Sequence, residues 1–489
     1  MKTYLNLFVS SLCLLPTVGS CESSTPSVAP SRTDITVDMN ATSYSIDPAF
    51  FGVCDMFWKE SDDYMSDGVI EGYLKDMDCG FLRYPGGTES DNFIWETNLL
   101  EDKRRWPYED GQDKMDTDEF IVLCRRVGAQ PIICVNTEIA VLENDEDKAV
   151  KMAADWVRYC NIEKGYNVIY WEIGNEPYYH YRFTADEYAK LFKKMAAAMK
   201  KVDPSIKVAA VGEWNTEWVG HLDRIPAINR AKAREMEYSI EVGEGKYVES
   251  DLTAMQTVSD PQKWWDTLLK EAGDYIDVAS IHWYFNESDL TGMTNSLDRL
   301  TDLFSSKLPG KEPELIMTEW SMYHTIQKFG MERALYVGEA IGRALDGNVK
   351  KSTYWPLRCA GDHDKKGLFM EEEKTPRANY WVYRMFATNV GEYRVRCAGY
   401  SLGTYNFATV SEDGKHVQLF VLNRSERAIE GTAGIKGVDK CTATECILSA
   451  GDDKNTDYPE YAEKKVEYGS EGVKVVLPPW SMAVYRFDL

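Results

Sequence analysis

Between residues 50 and 357 the chain repeats one pattern: a short apolar run, then a longer amphipathic stretch. The runs are FFGVC (50–54), GFLRYPGG (80–87), AQPIICVN (129–136), NVIYWEIGNE (167–176), IKVAAVGEW (206–214), IDVASIHWY (276–284), ELIMTEW (314–320) and KSTYWPL (351–357). Helical periodicity lies between them over 116–126, 146–163, 184–202, 261–272, 292–306 and 329–346. Strands alternating with helices predict a parallel α/β sheet. Eight strands predict a closed (β/α)8 TIM barrel, an architecture of about 250 residues, over an open doubly wound sheet. No Gly-x-Gly-x-x-Gly follows an early strand, so the dinucleotide fingerprint is missing.

Near residue 390 the pattern changes to short strands with turn signals, among them Glu412-Asp413-Gly414, and it closes on VKVVLPPWSMAVYRFDL. This reads as a C-terminal β-sandwich over 390–489, joined by an N-terminal strand in 34–48, with the barrel over 49–389. Ahead of these, Lys2, the apolar run LNLFVSSLCLLP and Val18-Gly19-Ser20-Cys21 resemble a bacterial lipoprotein signal peptide over 1–21, and Pro/Ser-rich residues 22–33 read as a flexible tether. The rival reading is an ordinary cleaved signal with an incidental Cys21. The lipoprotein reading implies an exported protein, lipid-anchored through Cys21 at the bacterial cell envelope.

A formal net charge of −24 argues against nucleic acid and anionic membrane surfaces as partners and suits a neutral oligo- or polysaccharide. The supply of 14 Trp and 29 Tyr exceeds what packing needs and fits a sugar cleft, although most of these rings belong in cores. Apart from Cys13 and Cys21, the cysteines are scattered with no Cys-x-x-Cys pair, so no zinc site is predicted. Cys124 and Cys134 read as buried thiols, and whether Cys441 pairs with Cys446 is left open. Asp362-His363-Asp364 reads as a solvated loop and not a metal site. No metal or organic cofactor is called for.

In such a barrel the reacting groups sit at the C-terminal ends of strands. Strand four ends in Gly174-Asn175-Glu176-Pro177 and strand seven in Thr318-Glu319-Trp320. Two carboxylates on separate strand ends can face each other across a sugar, one protonating the leaving oxygen and the other attacking the anomeric carbon. Their carboxyl groups are expected about 5–5.5 Å apart, as retention requires. Asn175 suits a hydrogen bond to the sugar 2-hydroxyl.

These stretches resemble the clan A glycoside hydrolases, and within that clan glycoside hydrolase family 51, the α-L-arabinofuranosidases. The likeness is carried by RYPGGTESDNFIWE (83–96), TDEFIVLCRRVGAQPIICVN (117–136), AADWVRYCN (153–161), 166–212, SIHWY (280–284), TEW (318–320) and the closing LPPWSMAVYRF, and it covers most of 35–489. It implies Glu176 as general acid/base, Glu319 as nucleophile, Arg83 holding Glu319 ionised, Asn175 on a substrate hydroxyl, His282 and Tyr284 lining the site, and Trp355 stacking on sugar. Read from the residues alone, Arg83 could pair with any barrel-mouth acid, such as Glu172 or Glu213, His282 and Trp355 could be core residues, and Trp283 or Tyr284 could equally be core. The chain departs from the family at Thr88, where Asn is usual after Pro-Gly-Gly. Strand one offers Asp55 or Glu60 but no Glu-His pair, and Pro177 stands where Met is common. The substrate implied is an α-L-arabinofuranosyl residue of plant-type polysaccharide. The alternatives are a β-glucuronidase, β-xylosidase or endo-glucanase of the same clan, or a non-catalytic glycan-binding lipoprotein.

Overall fold

The computed structural model describes residues 29–55, 60–100, 114–142, 144–178, 183–214, 223–224, 236, 239, 245–248, 258–323, 326–358, 365–370 and 373–489. Cys13, Cys21, Asp362, His363 and Asp364 lie outside the described residues, as do the proposed signal segment and most of the tether.

An N-terminal strand β1 (Ser31–Ser45) leads into eight barrel strands: β2 (Phe51–Cys54), β3 (Phe81–Tyr84), β4 (Gln130–Val135), β5 (Tyr170–Ile173), β6 (Lys207–Val211), β7 (Val278–Phe285), β8 (Glu314–Met322) and β9 (Lys351–Tyr354). They close in sequence order, every neighbour parallel. Each is followed by a helix: α1 (Val69–Asp76), α2 (Thr117–Val127), α3 (Glu146–Val157), α4 (Ala185–Val202), α5 (Pro261–Ala272), α6 (Glu287–Lys307), α7 (Gly330–Asp346) and α8 (Ala378–Ala387). The fold is the predicted TIM barrel, and the predicted strand runs supply its strands.

Local chemistry explains the helix limits. Asp116 and Thr184 cap α2 and α4 with reciprocal bonds to Glu119 and Glu187. Asn286 and Asp289 make the same box on α6, so that helix starts ahead of the expected residue 292. Helix α8 was not among the predicted stretches. Its apolar face is nearly continuous (Tyr380, Val382, Tyr383, Met385, Phe386), so helical periodicity is weak there.

The second unit is a nine-stranded mixed sheet of β1 and β10 (Tyr393–Ala398), β11 (Thr404–Val410), β12 (His416–Asn423), β13 (Ile429–Ile435), β14 (Thr442–Ser449), β15 (Glu460–Val466), β16 (Val473–Leu477) and β17 (Ser481–Asp488). Its order is β15-β14-β17-β12-β11-β10-β1-β13-β16. It folds over a core of Val37, Val395, Leu419, Val421, Val475 and Tyr485, giving the predicted sandwich with its N-terminal strand. Strand β1 pairs antiparallel with β10 and parallel with β13, beginning at Ser31, so the last residues read as tether are in the sheet. Phe386 of α8 stacks on Phe420 of β12 at 4.5 Å, and Arg424 reaches Glu339 of α7 at 2.5 Å. These contacts tie sandwich and barrel through a common apolar core.

Inside the barrel, side chains alternate along each strand, so every second residue enters the lumen. Phe81, Ile132, Tyr170, Ala209, Val278 and Ile316 form an apolar floor. Two residues further along the same strands stand Arg83, Cys134, Glu172, Val211, Ser280 and Thr318. A polar layer therefore rests on the apolar floor, directly under the mouth.

Candidate active site

Arg83, from β3, is fully buried and spends its guanidinium on four groups. Nε donates to Glu172 Oε2 at 2.7 Å, Nη1 to Glu319 Oε2 at 3.1 Å and Cys54 Sγ at 3.5 Å, and Nη2 to Asn175 Oδ1 at 2.7 Å. The open choice between Glu172 and Glu319 resolves as both. Glu172 is itself sealed beneath the mouth, and its Oε1 accepts from Ser280 Oγ at 2.6 Å and Thr318 Oγ1 at 2.7 Å. Burial opposes its charge, but Arg83, His282 and the two hydroxyls overcome that and hold its carboxyl below the ordinary range. Arg83 is held well above its ordinary value by Glu172 against the cost of burial.

Thr318 and Glu319 are consecutive, yet both turn into the lumen. The register shows how: Ile281 pairs with Met317 but His282 with Glu319, leaving Thr318 as an extra residue in β8. The same irregularity appears against β9. A bulge of this kind re-aims a side chain without breaking the sheet. Thr353 Oγ1 donates to the Thr318 carbonyl and braces it. Single-residue register slips leave no mark in a run as short as ELIMTEW.

On strand four, Gly174 has φ +78, and a Cβ there would lie 2.8 Å from Thr137 Oγ1. The turn it permits brings Asn175 and Glu176 over the lumen. Asp91 Oδ1 accepts from the Asn175 backbone N–H at 2.9 Å and from Thr137 Oγ1 at 2.9 Å, which locks the turn. Because Arg83 can only donate, Asn175 must offer it Oδ1, and this leaves Asn175 Nδ2 buried with no partner.

Glu176 Oε1 is 3.0 Å from His282 Nδ1, while Tyr178 donates to it at 3.4 Å. His282 Nε2 is buried and unpartnered. Burial would lower the imidazole's pKa, but the Glu319 charge and the Glu176 hydrogen bond raise it above its usual value. Tyr284 Oη donates to Glu319 Oε1, so Glu319 is held by Tyr284 on one oxygen and Arg83 on the other. Glu176 is the more open of the two acids, with 21% of its side chain exposed against 7% for Glu319. One carboxylate oxygen of each lies within 4.8 Å of the other. Glu176, His282 and Glu319 also have the spacing of metal ligands.

Trp355, just beyond β9, lies partly exposed at the rim, against the loop after β3. A Cβ on Gly87 would come within 2.8 Å of its ring, so the missing side chain at Gly87 is what lets the indole approach that loop. Thr88 opens the short turn Thr88–Asn92 next to it. Neither acid considered on strand one joins the pair. Glu60 is drawn away by Arg358 Nε at 3.1 Å, and Asp55 is buried behind the barrel wall, where its charge acts on Cys79, Tyr84 and Cys124. Trp283 is core. Cys441, just ahead of β14, and Cys446, within it, are free thiols, and Cys124 and Cys134 are buried free thiols.

The chain is similar to known proteins over much of its length. The profile of a family described as "Alpha-L-arabinofuranosidase 1 domain" matches residues 73–302, a span that includes Arg83, Asn175, Glu176, His282 and Tyr284. The chain is 30% identical over 363 residues to alpha-L-arabinofuranosidase C of Emericella nidulans, covering 59% of this chain and 63% of that protein. It is 24% identical over 304 residues to an intracellular exo-alpha-(1->5)-L-arabinofuranosidase of Acetivibrio thermocellus, covering 54% of this chain and 50% of that one. The chain thus spans between half and two-thirds of the length of these relatives. In fold it is similar to the thermostable GH51 alpha-L-arabinofuranosidase of Thermotoga petrophila RKU-1, with a TM-score of 0.72, 19% identity and 93% and 99% of the two chains covered. The resemblance read from the sequence holds in profile, in curated relatives and in fold.

A carboxyl held low by folding stabilises the protein above its ordinary value of 4.5, and that contribution is lost as pH falls through the folded-state value. Glu172→Gln is therefore expected to cost about 3–5 kcal/mol at pH 7, because it strands part of Arg83. It should also lose stability less steeply than the parent below pH 4.5. Denaturant unfolding across pH measures both, and parallel stability curves would contradict the assignment.

Proposed function

We propose that the chain is a retaining glycoside hydrolase that removes α-L-arabinofuranosyl residues from plant-type polysaccharides. The observation that carries the reading is the pairing itself: two carboxylates within 4.8 Å, one fixed by Arg83 and Tyr284, the other open and held by His282. Retaining enzymes keep their carboxyl groups about 5–5.5 Å apart, whereas inverting ones leave about 6.5–9.5 Å for a water.

Glu319, oriented by Arg83 and Tyr284, attacks the anomeric carbon as Glu176 gives its proton to the departing glycosidic oxygen. The glycosidic bond breaks and an ester to Glu319 forms. Glu176, now a carboxylate, takes a proton from water, whose oxygen attacks the same carbon and releases Glu319. Asn175 Nδ2 has an unspent donor for the sugar 2-hydroxyl, where a hydrogen bond strengthens as positive charge develops on the ring. Trp355 offers a flat apolar wall for a sugar face. The furanosyl specificity is supported by the names of the relatives, and the chain's net charge suits a neutral glycan.

The test is hydrolysis of nitrophenyl α-L-arabinofuranoside, β-D-xyloside, β-D-glucoside and β-D-glucuronide. Turnover of the first, with the released sugar keeping its anomeric configuration by NMR, is the expected result. Glu319→Ala should fall to background. Glu176→Ala should lose about 10²–10⁴-fold on unactivated arabinosyl substrates and far less on nitrophenyl ones, whose leaving group needs little protonation. Inversion, or full activity of Glu319→Ala, would contradict the mechanism. Turnover of another glycoside alone would move the substrate and leave the mechanism standing.

We also propose that the protein is exported and lipid-anchored through Cys21, on the strength of the apolar run and Val18-Gly19-Ser20-Cys21. Labelled palmitate should enter the full chain in a bacterial host and fail to enter Cys21→Ser. Equal labelling of both would overturn the anchor.

A further inference from the structure

Among the described residues, the two most exposed large apolar side chains belong to one turn. Tyr400 is 83% exposed and Leu402 93%, and both stand on the turn Gly399-Tyr400-Ser401-Leu402-Gly403 between β10 and β11. A single exposed apolar residue needs no explanation, but a pair on one projecting turn does. The turn is built to project. Gly399 has φ +102 and Gly403 φ +81, and a Cβ on Gly399 would collide with the Asp34 carbonyl, so glycine is what lets the chain leave the sheet here. Beyond it, Thr404 Oγ1 donates to the Ser401 carbonyl at 2.8 Å and accepts from the Ser401 N–H at 2.9 Å, and Asn406 Nδ2 donates to the Gly399 carbonyl. Tyr400 and Leu402 are thus held out on a braced turn, with little ordering left to occur on contact.

Its place in the fold says what it faces. Strand β10 runs antiparallel to β1 with Ala398 opposite Thr36, so the turn projects past Asp34 beside the first residues of β1. On its other side the Arg424 N–H donates to the Gly403 carbonyl at 2.8 Å. The tip therefore shares one end of the sandwich with the start of β1. Ser31 follows Cys21 by ten residues, which at full extension span at most about 36 Å. A lipid on Cys21 holds this end of the sandwich within that distance of a bilayer. Exposed charges border the tip in both signs: Arg32 and Asp34, paired at 3.2 Å on β1, Glu430 level with Arg32 on β13, and Glu426 and Arg427 after β12. They nearly cancel in a chain of net charge −24, and the tip itself carries no charge, so repulsion from an anionic bilayer is weak here.

We propose that the Tyr400–Leu402 tip is a lipid-docking element, which dips into the bilayer that holds the lipid on Cys21 and fixes how the sandwich stands on it. Leu402 enters the acyl boundary, and Tyr400 keeps its hydroxyl among the headgroups. Two side chains bury too little apolar surface to hold a chain of this size on a membrane alone. The anchor supplies the affinity by keeping the tip at high local concentration beside the surface, and the tip supplies the orientation.

The inference rests on the proposed anchoring through Cys21, and one experiment separates their fates. Hydrogen-exchange mass spectrometry is run on the full chain with its lipid, on vesicles of phosphatidylethanolamine and phosphatidylglycerol, and on Cys21→Ser in buffer. Amides 400–403 should exchange about tenfold slower on the vesicles, while those of 411–415, in the turn at the opposite end of the sandwich, keep their rate. A chain with both Tyr400→Ser and Leu402→Ser should still take labelled palmitate and should lose the protection. Palmitate uptake with equal exchange at 400–403 overturns the tip and leaves the anchor standing. No uptake, but protection of 400–403 when vesicles are added, sinks the anchor and keeps the tip as a lipid contact; with neither, both fall. Protection without vesicles that grows with protein concentration would mean that a second copy of the chain covers the turn, and equal protection at both ends would mean crowding on the vesicle. Either overturns the proposal.

Discussion

Everything above the barrel floor depends on one buried cation. Arg83 lies at the level where the lumen changes from apolar to polar, and each of its guanidinium nitrogens is committed to another strand or to the loop after one. Removing a single ion from water is costly, and the guanidinium is tolerable here only because Glu172 and Glu319 neutralise it at hydrogen-bond distance. The same bonds fix the geometry of the mouth. They set the Glu319 carboxylate, orient the Asn175 amide, and tie β3, β5 and β8 at one height. A lysine could supply the charge but not the fork, so exchanging the two would not be conservative at this position.

The electrostatics on either side of Arg83 are unequal, and that inequality separates the two proposed roles. Glu319 sits under a fixed positive charge and a tyrosine hydroxyl, closed off from water. Glu176 has a titratable imidazole at 3.0 Å, more solvent, and two carboxylates near it. An environment that stabilises charge suits a nucleophile, and one that tolerates a proton suits an acid.

Much of this was legible in the sequence. Eight apolar runs separated by amphipathic stretches dictate a barrel because short buried parallel strands can be satisfied only by crossover helices and closure. Once strands four and seven are counted, Glu176 and Glu319 must converge, since both stand at C-terminal strand ends. What the sequence hid depends on single-residue geometry. The Thr318 bulge aims Glu319, yet no residue type announces it. Glu172 reads as one more carboxylate in an apolar run until period-two alternation shows it pointing inward under Arg83. Glu213 was visible as a rival partner for Arg83, but the charges that act on it, those of Glu176 and His282, come from the strands on either side. Asp55 and Glu60 show the opposite failure: both are acids at the end of strand one, and neither enters the site, because Arg358 holds Glu60 and Asp55 falls on the outward phase.

The central claim is that Glu319, held in place by Arg83 and Tyr284, forms a covalent bond to the sugar. The most direct measurement is mass spectrometry of the protein after reaction with a 2-deoxy-2-fluoro arabinofuranosyl donor carrying a good leaving group, which slows release of any ester. One sugar mass on the peptide containing Glu319, absent from Arg83→Met if that variant stays folded, is the predicted result. A label on Glu176 or Glu213, or turnover with inversion and no label at all, would contradict the account.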